Sequence, residues 1–334
     1  MSLIAPSAVL DVSELSVRFR TPGGLLTAVD RLSFRVGAGE TLAIVGESGC
    51  GKSVTAMALL RLLRSPPALV EGNHVLFDGQ DLLRLSERAL RDIRGNQIAM
   101  IFQDPLSALN PVMTVGDQIV EALQRHTGLR RATARTRAVE LLDLVRIPEP
   151  QRRADDYPHH FSGGMRQRAV IAIALAARPR VLIADEPTTA LDVTVQAQIL
   201  KLLVSLQREF GMALILISHD LGVVAETADR VLVMYAGRKV EERGVLDLFS
   251  HPRHPYTRAL LRARPTPGAV REFLDEIPGI VPSLSAMPQG CAFAPRCAFA
   301  NEACTGAPPP LLPSGDGGAV ACIHTERLPQ SEAA

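Results

Sequence analysis

Three short runs of apolar residues predict buried strands. They are nearly continuous in apolar side chains, as expected of strands covered on both faces, and they are Thr41–Val45, Val181–Asp185 and Ala213–Ile217. A helical spacing of apolar positions follows each run, in Lys52–Leu63, Val193–Phe210 and, more weakly, Leu221–Ala228. This alternation of strands and helices predicts an α/β fold with a mostly parallel core.

The pattern changes twice along the chain. Between Asp104 and Ser162 it is typical of helices only, with the best candidates at 115–126 and 135–145, which predicts a helical subdomain inserted into the sheet domain. After about residue 264, prolines and glycines dominate and the helical spacing fades. We therefore predict one large domain over 8–264, containing the helical subdomain 104–162, and a small C-terminal region over 265–334.

The composition indicates the class of protein and excludes one class of partner. The 334 residues are 47% hydrophobic and 21% charged, which is typical of a globular protein rather than a disordered one. The net charge of +1 indicates no nucleic-acid partner, because such proteins usually carry a strongly basic face. The arginines clustered near residue 130 are interpreted as a solvated helix face.

No run of apolar residues reaches the roughly 18 to 20 that a membrane-spanning helix needs. The longest candidate, Ala169–Ala177, stops at Arg178, and Met1–Val12 lacks the basic start and apolar run of a secretion signal. We therefore expect the chain to stay in the cytosol and to reach a membrane through partners.

A glycine-rich segment between a predicted strand and a predicted helix has the spacing G-x-x-x-x-G-K-S that cradles phosphates. It consists of Gly46, Glu47, Ser48, Gly49, Cys50, Gly51, Lys52 and Ser53, and Val54 follows in the helix. The glycines let backbone N–H groups face phosphate oxygens, and the helix N-terminus adds positive charge. Lys52 is one of only three lysines. We expect its ammonium at the β- and γ-phosphates of ATP and the Ser53 hydroxyl on Mg²⁺.

A second set of candidate residues follows two other buried strands. Asp185 ends one strand and is predicted to hold Mg²⁺, and Glu186 beside it is placed to take a proton from an attacking water. His219 follows the strand 213–217 and is a candidate hydrogen-bond partner of the γ-phosphate. Together with the glycine-rich segment, these residues predict an ATP hydrolase.

With these motifs in place, the chain resembles the nucleotide-binding subunits of ABC transporters over about residues 10–250. The further residues that carry this resemblance are the Q-loop glutamine Gln103, the signature Ser162, Gly163 and Gly164 with Met165 in place of the usual glutamine, the D-loop Ala190, Leu191 and Asp192, and the switch histidine His219. The resemblance implies a P-loop ABC-type nucleotide-binding domain: a RecA-like mostly parallel core, an antiparallel β-subdomain and an inserted helical subdomain. A small cysteine-rich loop domain follows at the C-terminus.

The resemblance also implies how such a subunit works. Gln103 would join Ser53 and Asp185 around Mg²⁺, and two ATPase subunits would form a head-to-tail dimer with ATP between them. The signature residues Ser162 to Gly164 and Asp192 would then act on the partner's ATP. Adenine usually stacks on an aromatic residue upstream of the phosphate loop, for which Phe19 and an aliphatic contact from Leu25 are the two candidates.

The C-terminal part is similar to that of oligopeptide and dipeptide importer ATPases, in the segments His254–Leu260 and Ile277–Gly279. The resemblance implies peptide import, a related second ATPase, two transmembrane permease subunits and an extracytoplasmic substrate-binding protein. It also implies a peripheral location on the cytoplasmic face of the bacterial inner membrane. Two alternatives stay open: another import class, such as nickel or opine uptake, and a non-transport iron–sulfur ABC ATPase.

Four of the five cysteines lie in the proline- and glycine-rich tail, at Cys291, Cys297, Cys304 and Cys322. Disulfides are not expected in a reducing compartment. The spacing lacks the short knuckles of structural zinc sites, so a 4Fe-4S cluster, zinc and free thiols are all left open by spacing alone. The resemblance to peptide-importer ATPases favours the cluster. Cys50 in the glycine-rich segment is interpreted as a small packed residue.

Overall fold

The computed structural model describes residues 8–189, 191–263 and 276–325. Its strands are β1 (Ala8–Thr21), β2 (Gly24–Gly37), β3 (Thr41–Val45), β4 (Ala68–Glu71), β5 (His74–Phe77), β6 (Gln80–Asp81), β7 (Ile98–Ile101), β8 (Val181–Asp185), β9 (Ala213–Ile217), β10 (Arg230–Tyr235), β11 (Arg238–Gly244), β12 (Leu312–Pro313) and β13 (Ala319–Val320). The three strands predicted from the apolar runs, β3, β8 and β9, have the bounds expected.

The helices are α1 (Lys52–Leu59), α2 (Glu87–Ile93), α3 (Pro105–Ala108), α4 (Val115–Thr127), α5 (Arg131–Leu144), α6 (Pro150–Arg153), α7 (Gly163–Leu175), α8 (Val193–Phe210), α9 (Leu221–Thr227), α10 (Val245–Ser250), α11 (Pro255–Arg262) and α12 (Ala303–Gly306). Short 3-10 turns occur at Pro158–His160 and Ala294–Arg296. Within the described residues, the segment 104–162 is helical and contains no strand, as predicted.

The chain divides into two compact units. The first comprises the residues up to Leu10 together with Val36–Thr41 and Phe77–Ile217. Its strands β7, β8 and β9 are parallel, with Ile98 opposite Val181 and Val181 opposite Ala213. All five residues of β8 and of β9 are buried, which explains why both read as continuous apolar runs.

Helices α3 to α8 belong to this unit, and α7 packs against α3, α4, α5, α8 and β7. Helix α4 is capped by Thr114, whose hydroxyl accepts the Asp117 N–H at 3.1 Å, and it ends at Gly128 in the left-handed region. Helix α5 starts four residues before the predicted 135–145. Its first turn is polar apart from alanines, so the apolar spacing becomes visible only later in the helix.

The second unit comprises Asp11–Arg35, Leu42–Leu76 and the chain from Ser218 onward. In it β3 and β10 are parallel, with Leu42 opposite Arg230, and β11 pairs antiparallel with β10. Strand β13 then pairs antiparallel with β11 and with β12, so the tail adds two short strands to this sheet. A separate sheet contains β2, β1 and β5 as neighbours, with β4 antiparallel to β1. This second sheet contains the antiparallel pairing expected of the β-subdomain.

Helix α1 ends at Leu59, four residues before the predicted Leu63. Arg61 lies in the left-handed region with φ of +49°, which ends the helical path although the apolar spacing continues. The predicted boundary after residue 264 lies outside the described residues. The described tail consists mostly of loops and turns, and its Ala292 and Phe293 join a core that also contains Tyr235 and Tyr256.

Within the residues described, we find no helix that is both long enough and apolar enough to cross a membrane.

Candidate nucleotide site

The glycine-rich segment forms a tight loop between β3 and α1. A Cβ atom on Gly46, whose φ is +153°, would lie 2.2 Å from the carbonyl oxygen of Met234 and 2.7 Å from Cys50 Sγ. A Cβ on Gly51, whose φ is +102°, would lie 2.7 Å from the Ala28 carbonyl oxygen. Only glycine fits at these two positions, because both the backbone angle and the space exclude a side chain.

Lys52 lies on this loop with 5% of its surface exposed. Its ammonium donates to the carbonyl oxygens of Gly46 at 2.8 Å and Glu47 at 3.1 Å. Cys50 is 1% exposed, and burial raises the pKa of its thiol above the ordinary value. The interpretation of Cys50 as a packed residue is confirmed. The loop and the start of α1 therefore combine a positive charge with the N–H groups of a helix N-terminus, which suits a phosphate.

His219 belongs to the same unit as the glycine-rich loop. The preceding residue, Ser218, donates its N–H to the carbonyl oxygen of Ile44 on β3 at 3.3 Å. Ser218 Oγ accepts the N–H of Asp220 at 3.0 Å, and Asp220 in turn caps α9. The exposed His219 side chain is thus carried by a turn attached to the strand that leads into the glycine-rich loop.

In the other unit, the end of β8 presents the two predicted carboxylates. Asp185 is 4% exposed, and Glu186 follows with φ of +44°, a backbone conformation that is uncommon outside glycine. The Glu186 carboxylate oxygen Oε2 accepts bonds from Gln103 Nε2 at 3.1 Å and Thr189 Oγ1 at 3.0 Å. Two predicted site residues, Gln103 and Glu186, are therefore in contact. A carboxylate oriented in this way can accept a proton from a water molecule.

The signature residues begin helix α7. Ser162 is its N-cap, and the Ser162 hydroxyl accepts the N–H of Met165 at 3.4 Å. A Cβ on Gly163 would lie 3.2 Å from Leu191 Cδ2, and one on Gly164 would lie 2.7 Å from Val195 Cγ1. The glycines thus allow the start of α7 to approach the start of α8 closely. This leaves the N–H groups and the serine hydroxyl at a helix N-terminus, a favourable place for an anion.

Asp192 is the N-cap of α8, where it accepts the Val195 N–H at 2.9 Å. Ala190, predicted in the same motif, lies outside the described residues. The two adenine candidates differ in exposure: Phe19 is half-buried on β1 opposite Ala68, whereas Leu25 on β2 is 55% exposed. The assignment of either residue to adenine stays a prediction.

Two residues of the C-terminal part bond the glycine-rich loop, and a third supports one of them; the sequence predicted no role at the loop for any of the three. Tyr256 Oη accepts the N–H of Glu47 at 2.8 Å, and Arg296 donates to both carboxylate oxygens of Glu47, at 2.7 and 3.0 Å. Tyr235 Oη accepts from Arg296 at 3.3 Å. Two of the chain's three tyrosines thus belong to this set. The sequence signal available for Tyr256 was its place in the segment His254–Leu260, which resembles importer ATPases.

The four tail cysteines, Cys291, Cys297, Cys304 and Cys322, line one small cavity together with His254 and Phe293. No disulfide joins any of the four to another described cysteine. Burial raises the pKa of Cys322 to about 11. Over the described residues, no three His, Cys, Asp or Glu side chains form a set that could hold a metal ion.

Comparison with known proteins identifies the families that this chain matches. Residues 29–189 match the family described as ABC transporter, and residues 240–304 match the one described as oligopeptide/dipeptide transporter, C-terminal region. A protein of Sinorhizobium fredii named as a peptide ABC transporter ATP-binding protein is 55% identical over 96% of this chain and 96% of its own. One of Brucella abortus named as a peptide import ATP-binding protein is 53% identical over 97% of this chain and 96% of its own.

Solved structures extend the similarity to the fold. An ATP-binding cassette solved as a dimer in a post-hydrolysis state with ADP and Pi has a TM-score of 0.63 and 28% identity, covering 71% of this chain and 98% of its own. A subunit of an ABC transporter complex from Clostridium perfringens has a TM-score of 0.61 and 29% identity, covering 72% of this chain and 90% of its own. The predicted ABC-type nucleotide-binding fold is confirmed. With both matched regions in one chain, this protein belongs to the ABC transporter family as an ATPase subunit of the oligopeptide/dipeptide branch.

Proposed function

We propose that this ATPase powers the uptake of di- and oligopeptides through a membrane permease complex. The observation that carries the proposal is the C-terminal match over residues 240–304, which comes with relatives named for peptide import along nearly the whole chain. ATP hydrolysis supplies the free energy, and the permease and binding protein select the solute. Nickel or opine uptake is the alternative, because the ATPase itself does not bind the transported molecule.

Each site residue has a proposed role towards Mg·ATP. Lys52 binds the β- and γ-phosphates among the N–H groups of the loop Gly46–Val54, while Ser53 and Asp185 hold Mg²⁺ with Gln103. Glu186 is the general base for the attacking water, and its contacts with Gln103 and Thr189 support this role because they orient the carboxylate. His219 hydrogen-bonds the γ-phosphate. Phe19, or alternatively Leu25, contacts the adenine.

The signature implies a second subunit. We propose that Ser162, Gly163, Gly164 and Asp192 act on ATP held by a related ATPase chain. Two permease subunits and an extracytoplasmic substrate-binding protein complete the complex, and the ATPase lies peripherally on the cytoplasmic face of the inner membrane. The exposure of Ser162 and Gly163 at the start of α7 supports this role, since it leaves the helix N-terminus accessible to an anion.

Reconstitution tests the transport function. The chain, purified with its partner ATPase, permeases and binding protein, is placed in lipid vesicles, and ATP hydrolysis is measured with peptides of two to eight residues, nickel or an opine. We expect peptides to stimulate hydrolysis and a Lys52→Ala complex to show no stimulation. Stimulation by nickel or an opine alone would assign the complex to the alternative import class.

We also propose that the four tail cysteines hold a 4Fe-4S cluster. All-thiolate ligation suits such a cluster, and the four thiols share one cavity. The cysteine spacing lacks the short knuckles of structural zinc sites, and zinc is the alternative metal. The role of the cluster would be structural, replacing the apolar core that a small loop-rich segment lacks.

Metal analysis of protein purified without oxygen tests this second proposal. We expect about four irons and four sulfides per chain, and loss of most of this iron in Cys304→Ser. The matched control, Cys50→Ser, removes the one cysteine outside the cavity and should retain full iron content. One zinc per chain, or no metal in the wild type, would exclude the cluster.

A further inference from the structure

An ion pair links the tail directly to the glycine-rich loop. Arg296 lies in the 3-10 turn just before Cys297, and its guanidinium donates to both carboxylate oxygens of Glu47, at 2.7 and 3.0 Å. The Arg296 side chain is 4% exposed and that of Glu47 is 26% exposed. A two-point bond of this kind fixes orientation as well as distance, which a single charge contact does not.

Arg296 is itself held rigidly. Its remaining bonds go to the carbonyl oxygens of Pro278 at 2.8 Å and Ile277 at 3.2 Å, and to Tyr235 Oη at 3.3 Å. The guanidinium carbon also lies 5.8 Å from the centroid of the Tyr235 ring. The bond to Glu47 is the main cause that raises the pKa of Arg296 above its usual range, so the positive charge is permanent.

Glu47 is held through its main chain too. Its N–H donates to Tyr256 Oη at 2.8 Å, and its carbonyl oxygen accepts from Lys52 Nζ at 3.1 Å. Tyr256 is fully buried against Tyr235 and Phe293, with ring centroids 4.6 and 5.3 Å away. The second residue of the loop is thus tied at its side chain and its N–H by residues from the C-terminal part.

We propose that Arg296 and Tyr256 are positioning residues that hold the glycine-rich loop in its phosphate-binding shape. The C-terminal part of the chain would then contribute directly to ATP affinity. This inference rests on the proposed role of Gly46–Ser53 in binding ATP. It differs from a role in tail stability alone, because losing the bond to Glu47 should alter nucleotide affinity in a protein that remains folded.

The test measures Mg·ATP binding by calorimetry, and the KM and kcat of ATP hydrolysis, on the full-length chain. Arg296→Gln should weaken binding and raise KM about tenfold, with kcat within about twofold, because one charge-assisted two-point contact is lost. Arg296→Lys keeps the charge but not the fork and should fall in between. Glu47→Gln should match Arg296→Gln, and the double variant should be no weaker than either single one.

Arg243→Gln is the matched control. Arg243 is also 4% exposed and pairs with Asp316, and it donates to the carbonyl oxygen of Asp247 rather than to the loop. It should lower the melting temperature while leaving ATP affinity unchanged. Wild-type affinity in Arg296→Gln, or full additivity in the double variant, would overturn the inference.

Two further outcomes keep the result decisive. If Arg296→Gln fails to fold, Glu47→Gln and Tyr256→Phe carry the test, since each removes one bond to the loop and Glu47 is partly exposed. Wild-type affinity in both would refute the positioning role. Failure of the wild type itself to bind Mg·ATP would instead refute the proposed function of the loop.

Discussion

Substitution of Gly164 by alanine probes how closely the signature approaches helix α8. The added Cβ would lie 2.7 Å from Val195 Cγ1, whereas carbon atoms in contact are about 3.5–4.0 Å apart. The two carbon atoms must therefore move apart by about 1 Å. Val195 cannot readily turn away, because a β-branched side chain within a helix has essentially one rotamer. We therefore expect the start of α7 to move.

Two effects of opposite sign set the magnitude. Overpacking costs about 1–3 kcal/mol, and replacing glycine by alanine within a helix regains at most about 1 kcal/mol. The overpacking prevails, and the melting temperature should fall by roughly 2–6 °C. If the signature residues position ATP as proposed, a shift of about 1 Å at them should reduce hydrolysis by the assembled transporter about 10- to 100-fold.

Thermal unfolding and ATP hydrolysis are measured for Gly164→Ala, Val195→Ala and the double variant. Val195→Ala removes the clashing methyl group. Gly164→Ala should therefore be neutral or stabilising in the Val195→Ala variant, and the double variant should hydrolyse ATP faster than Gly164→Ala alone. Gly163→Ala is the matched control, since its Cβ would meet only the flexible end of Leu191 at 3.2 Å. The reasoning fails if Val195→Ala does not rescue Gly164→Ala, or if both glycine variants are equally impaired.

Substitutions at three other positions test separate points. Glu186→Gln should bind ATP normally and hydrolyse it at least about 100-fold more slowly in single-turnover assays, since general-base assistance contributes 10² to 10⁴; near-normal turnover would reject that role. Asp192→Ala should lower the free energy of unfolding by about 0.5–2 kcal/mol through loss of the α8 cap. Asp192→Asn can still cap the helix and should retain most of the wild-type stability. Equal losses for the two variants in denaturant unfolding would contradict the capping role. Gln118→Ala should destabilise the helical segment by about 1–3 kcal/mol, since the buried amide bonds the carbonyl oxygens of Asn110 and Met113; an unchanged denaturation midpoint would refute this.

The glycine-rich loop and the elements on either side of it could be predicted from the local sequence. The strand 41–45, the loop after it and Lys52 are adjacent in the chain, so the apolar run and the glycine spacing describe them together. Glycine was required where the backbone φ is positive and the space is closed, as at Gly46 and Gly51. The start of α8 at Val193 was also predicted, from its apolar spacing, and the structure shows Asp192 as its cap.

Helix ends were less predictable. The apolar spacing that begins at Lys52 continues past Leu59, but the chain turns at Arg61 into the left-handed region. Helix α5 shows the reverse, since its polar first turn from Arg131 carries no apolar signal. In α5 the helix begins without an apolar stripe because Arg131, Ala132 and Ala134 are themselves strong helix formers.

Sequence alone thus determined the buried strands, the glycine-rich loop and the identity of the motifs, because each is encoded within a few neighbouring residues. Only the tertiary structure decided that Gln103 meets Glu186, 83 residues away, and that Arg296 meets Glu47, 249 residues away. It also decided that four cysteines spread over the tail share one cavity. Such contacts depend on the order of strands in the sheets and the path of the tail, which no local periodicity specifies.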